Sequence, residues 1–126
     1  MPLTRISLRK GKSTDFHVGL TTAVYQAMRN TFDVPEGDRF MVIDEYDESC
    51  FAYGENYLGI ERSSNLILIE ITANNTRTTA QKQSLYDEIA KRLETKLKVR
   101  PEDVFINLVE VSKQNWSFGN GVAQYA

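Results

Sequence analysis

A chain of 126 residues, 41% hydrophobic and 25% charged, is sized for one domain able to bury a real core. Its formal charge of −2 supplies no general attraction for nucleic acid or anionic membranes, and no stretch approaches the roughly 20 apolar residues of a membrane span. Cys50 is the only cysteine, which excludes an internal disulfide, and His17 is the only histidine, which argues against a zinc-type site. No metal and no cofactor is expected. Cys50 reads as a plain buried or half-buried thiol. The opening MPLTRISLRKGKS lacks the apolar run of a secretory signal, so a cytoplasmic location is expected.

Met1-Pro2 comes first along the chain. Initiator methionine is normally removed before a small residue, and its removal would leave Pro2 with a secondary amine on a rigid ring. An α-amino group has an ordinary pKa of about 7.7–8.0, so it exchanges protons near neutrality. Burial beside positive charge would favour its neutral, basic form. Met-Pro openings are also common in proteins where they carry no chemistry.

Leu3 to Leu8 then alternates apolar and polar residues imperfectly, as a strand does. Ser13 and Thr14 are N-cap candidates for a helix on which Phe16, Leu20, Val24, Met28 and Phe32 recur every fourth residue. Pro35 and Gly37 end it, and Arg39 to Tyr46 reads as a second strand. Asp47 to Ser64 reads as an ordered loop or short hairpin, since Gly54 and Gly59 alternate with Phe51, Tyr53, Tyr57 and Ile60. Asn65 to Ala73 is a strand rich in β-branched residues. Thr78 or Thr79 caps a helix carrying Leu85, Ile89, Leu93 and Leu97. Pro101 follows its end, and Val104 to Val111 is the last strand.

The second half echoes the first. Val34 to Glu45 resembles Val99 to Glu110, and Asp38 and Asp103 fix the offset at 103 − 38 = 65. The same offset pairs Leu3 with Leu68, Ile6 with Ile71, Leu20 with Leu85, Val24 with Ile89, Met28 with Leu93 and Phe32 with Leu97. Residues 1–126 therefore read as a single domain built from two units, about 2–46 and 65–111. The expected class is α/β (α+β): tandem β-α-β units forming a four-stranded sheet with two helices on one face. Ile67, Ile69 and Ile71 occupy one side of their strand, and Leu66, Leu68 and Glu70 the other. Both sides are largely apolar while helices cover only one, which predicts a homo-oligomer.

Several short motifs then converge: Pro2-Leu3, Val34-Pro35-Glu36-Gly37-Asp38-Arg39-Phe40, Arg62-Ser63-Ser64, Arg77 followed by Gln81-Lys82, Asp103-Val104, Val109-Glu110 and Trp116-Ser117-Phe118-Gly119. In this order, across nearly the whole chain, they resemble the tautomerase superfamily, and within it the malonate semialdehyde decarboxylase group. The resemblance implies a homotrimer of fused units and a small carboxylate substrate. It implies that Pro2, freed of Met1, acts as general base in keto–enol tautomerism of a 2-oxo or enol carboxylic acid, or as a cationic general acid in decarboxylation and hydration. A non-catalytic ferredoxin-like binding module is the reading from another class. RNA is disfavoured as its partner by the net charge and by the lack of the ribonucleoprotein aromatic pattern.

The resemblance also assigns the remaining residues. Arg77, ahead of a helix, would bind the substrate carboxylate through paired N–H groups. At Asn75 the chain departs from the pattern: where those decarboxylases carry Arg-Pro-Arg, this chain has Asn75-Thr76-Arg77. Asn75 can donate a hydrogen bond to substrate without adding charge, which puts decarboxylation in doubt more than tautomerism. Asp38 would orient water or hold Pro2; the same residue also suits the turn Pro35-Glu36-Gly37-Asp38. Trp116 and Phe118, with Tyr125 a weaker candidate, either wall the pocket or pack at a subunit interface. Ser63 and Ser64 shape the loop, since no histidine stands ready as their base.

Overall fold

The computed structural model describes residues 2–126, so Met1, and with it the question of its removal, lies outside the described residues. Six elements make the frame: β1 (Leu3–Arg9), α1 (Thr14–Phe32), β2 (Met41–Tyr46), β3 (Ile67–Asn74), α2 (Thr79–Leu97) and β4 (Val104–Val111). The second strand begins two residues later than its sequence pattern suggests. Gly37, at φ 87°, and the bond from Arg39 N–H to Gly37 O hold the chain in a turn until there.

Both helices begin and end for local chemical reasons. Ser13 Oγ accepts the Phe16 N–H at 3.1 Å. Thr78 and Gln81 form a reciprocal capping box at the start of α2. Each helix stops at a residue in the left-handed region, Asp33 at φ 53° and Lys98 at φ 57°, whose N–H turns back to the last turn. Caps, helix starts and helix ends each recur at the offset seen in the sequence: 78 − 13, 79 − 14, 97 − 32 and 98 − 33 all equal 65.

The sheet order is β2-β1-β3-β4. β1 runs parallel to β2, β3 runs parallel to β4, and the central pair β1–β3 is antiparallel. Strand parity then sorts the side chains. Ile6, Leu8, Ile67, Ile69 and Ile71 are buried against Leu20, Val24, Met28, Leu85, Ile89 and Leu93 of the helices. Each such side chain contributes about 1.5–3 kcal/mol by leaving water, and this main cluster lies between sheet and helices.

Among the described residues, neither α1 nor α2 covers the opposite sheet face. Arg5, Glu70, Phe105 and Val109 are exposed there, with Leu68 half-buried. Leu66, just before β3, is buried. The linker between the units is ordered by two polar anchors. Arg62 donates to the carbonyls of Gly54, Tyr57 and Ile60. Buried Asp103 accepts the Ser63 N–H at 2.7 Å and the Ser63 hydroxyl at 2.6 Å, so Ser63 does shape the loop. Cys50 departs from expectation: it ends a short 3-10 turn on the outer side of this linker and is exposed. A hydrophobic residue type gave no warning, because the turn geometry, rather than side-chain polarity, decides which way it faces.

Candidate active site

The topology brings distant segments to one end of the sheet. Pro2 precedes β1, and the Thr4 N–H bonds Phe40 O, which places the start of β2 alongside. The antiparallel pairing sets the end of β3 beside the start of β1, with Leu3 opposite Thr72. The parallel pairing of Asn74 with Val111 adds the end of β4 and the tail that follows it. Sequence positions near 2, 40, 75 and 116 therefore meet.

A cavity of about 200 Å³ opens at this end, lined by Pro2, Leu3, Phe40, Trp116, Ser117 and Phe118. Pro2 is buried. Trp116 stacks on Phe118 with ring centroids 5.5 Å apart, and Tyr125 meets Phe118 edge-on at 5.0 Å. The wall is thus largely apolar, which strengthens any charge interaction within it. A larger groove of about 600 Å³ lies between the helices, lined by Asn30, Gln81, Ser84, Asp87, Glu88 and Lys91 among others. Its carboxylates are engaged by Asn30, Lys91 and Arg92, and Pro2 does not line it.

Arg77 stands half-buried past the turn that ends β3. Its guanidinium donates to Phe32 O at 2.9 Å and lies 4.8 Å above the Phe32 ring. It therefore satisfies a carbonyl left open at the end of α1, with further N–H groups remaining on the fork. Burial lowers its pKa, while Asp33 and Asp38 act in the opposite sense. Asp38 sits at the turn before β2, half-buried. Burial raises its carboxyl above the usual range, against the pull of the Arg77 charge. Among the described residues, Asp38 Oδ1 is buried without a hydrogen-bond partner.

Of the residues singled out from sequence, Pro2, Trp116 and Phe118 line one cavity, and Asp38 and Arg77 interact through their charges nearby. Asn75 is exposed; its backbone N–H bonds Val111 O at 3.0 Å. Sequence reasoning missed its neighbour Asn74, which is buried and whose Oδ1 accepts the Trp116 indole N–H at 2.7 Å. It also missed Phe40 as a lining residue. Strand parity could have put Asn74 on the helix-free face, but nothing local names its partner 42 residues on. Among the described residues, no cluster of three or more His, Cys, Asp or Glu is placed to hold a metal ion, and no helix is long and apolar enough to cross a membrane.

A four-stranded mixed sheet backed by two helices, with a proline-lined cavity at one end, defines a small α/β enzyme class. Residues 38–119 match the family model described as tautomerase enzyme, and the chain belongs to that family. It is 45% identical over 124 residues to Probable tautomerase YusQ of Bacillus subtilis (strain 168), covering 98% of each chain. Its fold superposes on the crystal structure of malonate semialdehyde decarboxylase with a TM-score of 0.92, at 30% identity, covering 98% of this chain and 95% of that one. A fused 4-OT symmetric trimer shares the fold at a TM-score of 0.81 and 18% identity, covering 98% of this chain and 97% of that one. The protein is an enzyme of the tautomerase superfamily that resembles the malonate semialdehyde decarboxylase group.

Proposed function

We propose that this protein interconverts the keto and enol forms of a small 2-oxo carboxylic acid, with the Pro2 nitrogen as the proton carrier once Met1 is gone. The observation that carries the reading is buried Pro2 sharing one apolar cavity with Trp116 and Phe118. The neutral amine takes the proton from the carbon beside the substrate carbonyl. The electron pair of that C–H bond moves to form the C=C bond, and the carbonyl oxygen becomes an enolate that is then protonated. The reverse sequence returns the proton from Pro2 to carbon. The ring fixes the direction of the nitrogen lone pair, which suits transfer at one defined atom.

Arg77 holds the substrate carboxylate with the N–H groups that Phe32 O leaves free. Asp38, with its unpartnered buried oxygen, orients the Pro2 amine or a water beside it. Trp116 and Phe118 bind the apolar part of the substrate on the wall they form. Asn75, exposed just past the end of β3, offers a carboxylate only a neutral donor.

The chain acts in this reading as a single domain of two fused units. The helix-free sheet face, with exposed Phe105 and Val109, forms the contact of a homotrimer. A free thiol and no disulfide fit a cytoplasmic location. The test is ketonisation of phenylenolpyruvate followed by absorbance, with Pro2→Ala and Arg77→Ala beside the native chain. Activity unaffected by Pro2→Ala would overturn the role of the amine. The 0.92 superposition on malonate semialdehyde decarboxylase favours a second reading, decarboxylation or hydration with Pro2 as cationic acid. Turnover of malonate semialdehyde, compared between the native chain and Asn75→Arg, separates the two.

A further inference from the structure

Trp116 lies five residues beyond β4, in a tail that follows the last strand. Its indole N–H is a donor with one partner, Asn74 Oδ1, at 2.7 Å. Asn74 is 6% exposed and ends β3, where its backbone is paired in register with Val111. The next residue, Asn75, ties its N–H to Val111 O and closes that strand edge. The acceptor is therefore fixed to the rigid sheet, while the donor belongs to the tail. Trp116 in turn stacks on Phe118, whose own N–H is held by Gln124 Oε1 at 3.0 Å.

We infer that Asn74 is a positioning residue: its amide oxygen seats the Trp116 indole so that the Trp116–Phe118 pair forms one wall of the Pro2 cavity. The inference rests on the proposed function for its kinetic consequence, though not for the seating itself. An apolar residue at 74 leaves the indole N–H without its partner inside a half-buried site, so the ring must turn toward water. The wall then opens and substrates with an apolar tail lose a contact surface, while the chemistry at Pro2 is untouched.

Trp116 is the only tryptophan, so its emission reports on its own seat without interference. Asn74→Leu removes the acceptor and Asn74→Asp keeps an oxygen there. In Asn74→Leu the emission should move to longer wavelength and acrylamide should quench it more strongly; in Asn74→Asp both should stay near native. With phenylenolpyruvate, KM should rise about fivefold in Asn74→Leu, the scale of one net hydrogen bond, with kcat little changed. Trp116→Phe should show a similar KM, and adding Asn74→Leu to it should change nothing more.

Native-like emission and quenching in Asn74→Leu overturns the inference. So does an altered emission with unaltered KM, or a further loss of activity when Asn74→Leu is added to Trp116→Phe. A native chain that ketonises nothing overturns the proposed function instead, and with it the kinetic role; the fluorescence comparison then still decides the seating. Circular dichroism of each variant separates unfolding, which would affect all readouts at once, from a local change.

Discussion

Arg77 is asked to do two things, and its replacement separates them. Its bond to Phe32 O at 2.9 Å and its place over the Phe32 ring hold the end of α1. The residue is half-exposed, so Arg77→Ala should cost about 1 kcal/mol of stability for both contacts together. That amounts to a few degrees in Tm for a domain of this size. Its proposed role toward substrate is larger. Losing two charge-assisted bonds to a carboxylate, at about 1.5 kcal/mol each, predicts a fall of about a hundredfold in kcat/KM. Arg77→Lys keeps the charge, but one compact ammonium cannot serve Phe32 O and a carboxylate together, so a fall of about tenfold is expected. Phenylenolpyruvate kinetics well below the measured Tm of each variant is the assay. If Arg77→Ala stays within about twofold of native in kcat/KM, the guanidinium is only an α1 clamp and the carboxylate assignment fails.

Three further outcomes follow from the same geometry. A preparation that keeps Met1, identified by intact mass, should fold as the native chain does yet show no tautomerase activity, because an amide nitrogen has no basic lone pair; residual full activity would contradict the proposed role of Pro2. Asp38 has its pKa raised by burial, so the folded state binds its proton more tightly than the unfolded chain does. Its contribution is fully present below the unfolded value and is lost as pH rises through the folded one. Asp38→Asn should therefore remove a downward step in stability across that acid window, measured by urea unfolding at a series of pH values. Asp103→Ala strips two short bonds from Ser63 and should destabilise by about 2–4 kcal/mol in urea unfolding, with Ser63→Ala costing about half as much.

Much of the frame was legible because it is periodic. The fourfold spacing of Leu20, Val24, Met28 and Phe32 is a helix stripe whatever surrounds it, and all four are buried. Ser13 and Thr78 cap by local bonds, which need only a few neighbouring residues. The site was legible in a different way. Pro2 stood out by its place behind Met1, whereas Trp116 and Phe118 came from resemblance, and only the strand pairing explains why positions 2 and 116 can share a wall. Asn74 was hidden because its meaning lies in one long-range bond. Cys50 was misread because it ends the short turn Glu48–Cys50, closed by its N–H to Asp47 O, and that turn leaves its side chain exposed whatever its polarity.

The 65-residue offset sets two carboxylates in equivalent places and treats them unequally. Asp103 spends both oxygens on Ser63 and faces Arg100 at 3.5 Å. Asp38 keeps a buried oxygen unengaged among the described residues. The residue equivalent to Pro2 is Ile67, since 2 + 65 = 67, and it lies inside a continuous chain where its nitrogen is an ordinary strand amide. A duplicated frame thus offers two matching corners but only one can ever own a chain-terminal amine. The other corner has no terminal amine to offer, and its aspartate is the rivet that fastens the linker, at Ser63, to the second unit. On the proposed function, divergence between the halves is a division of labour written into connectivity: one end to react, one end committed to holding shape.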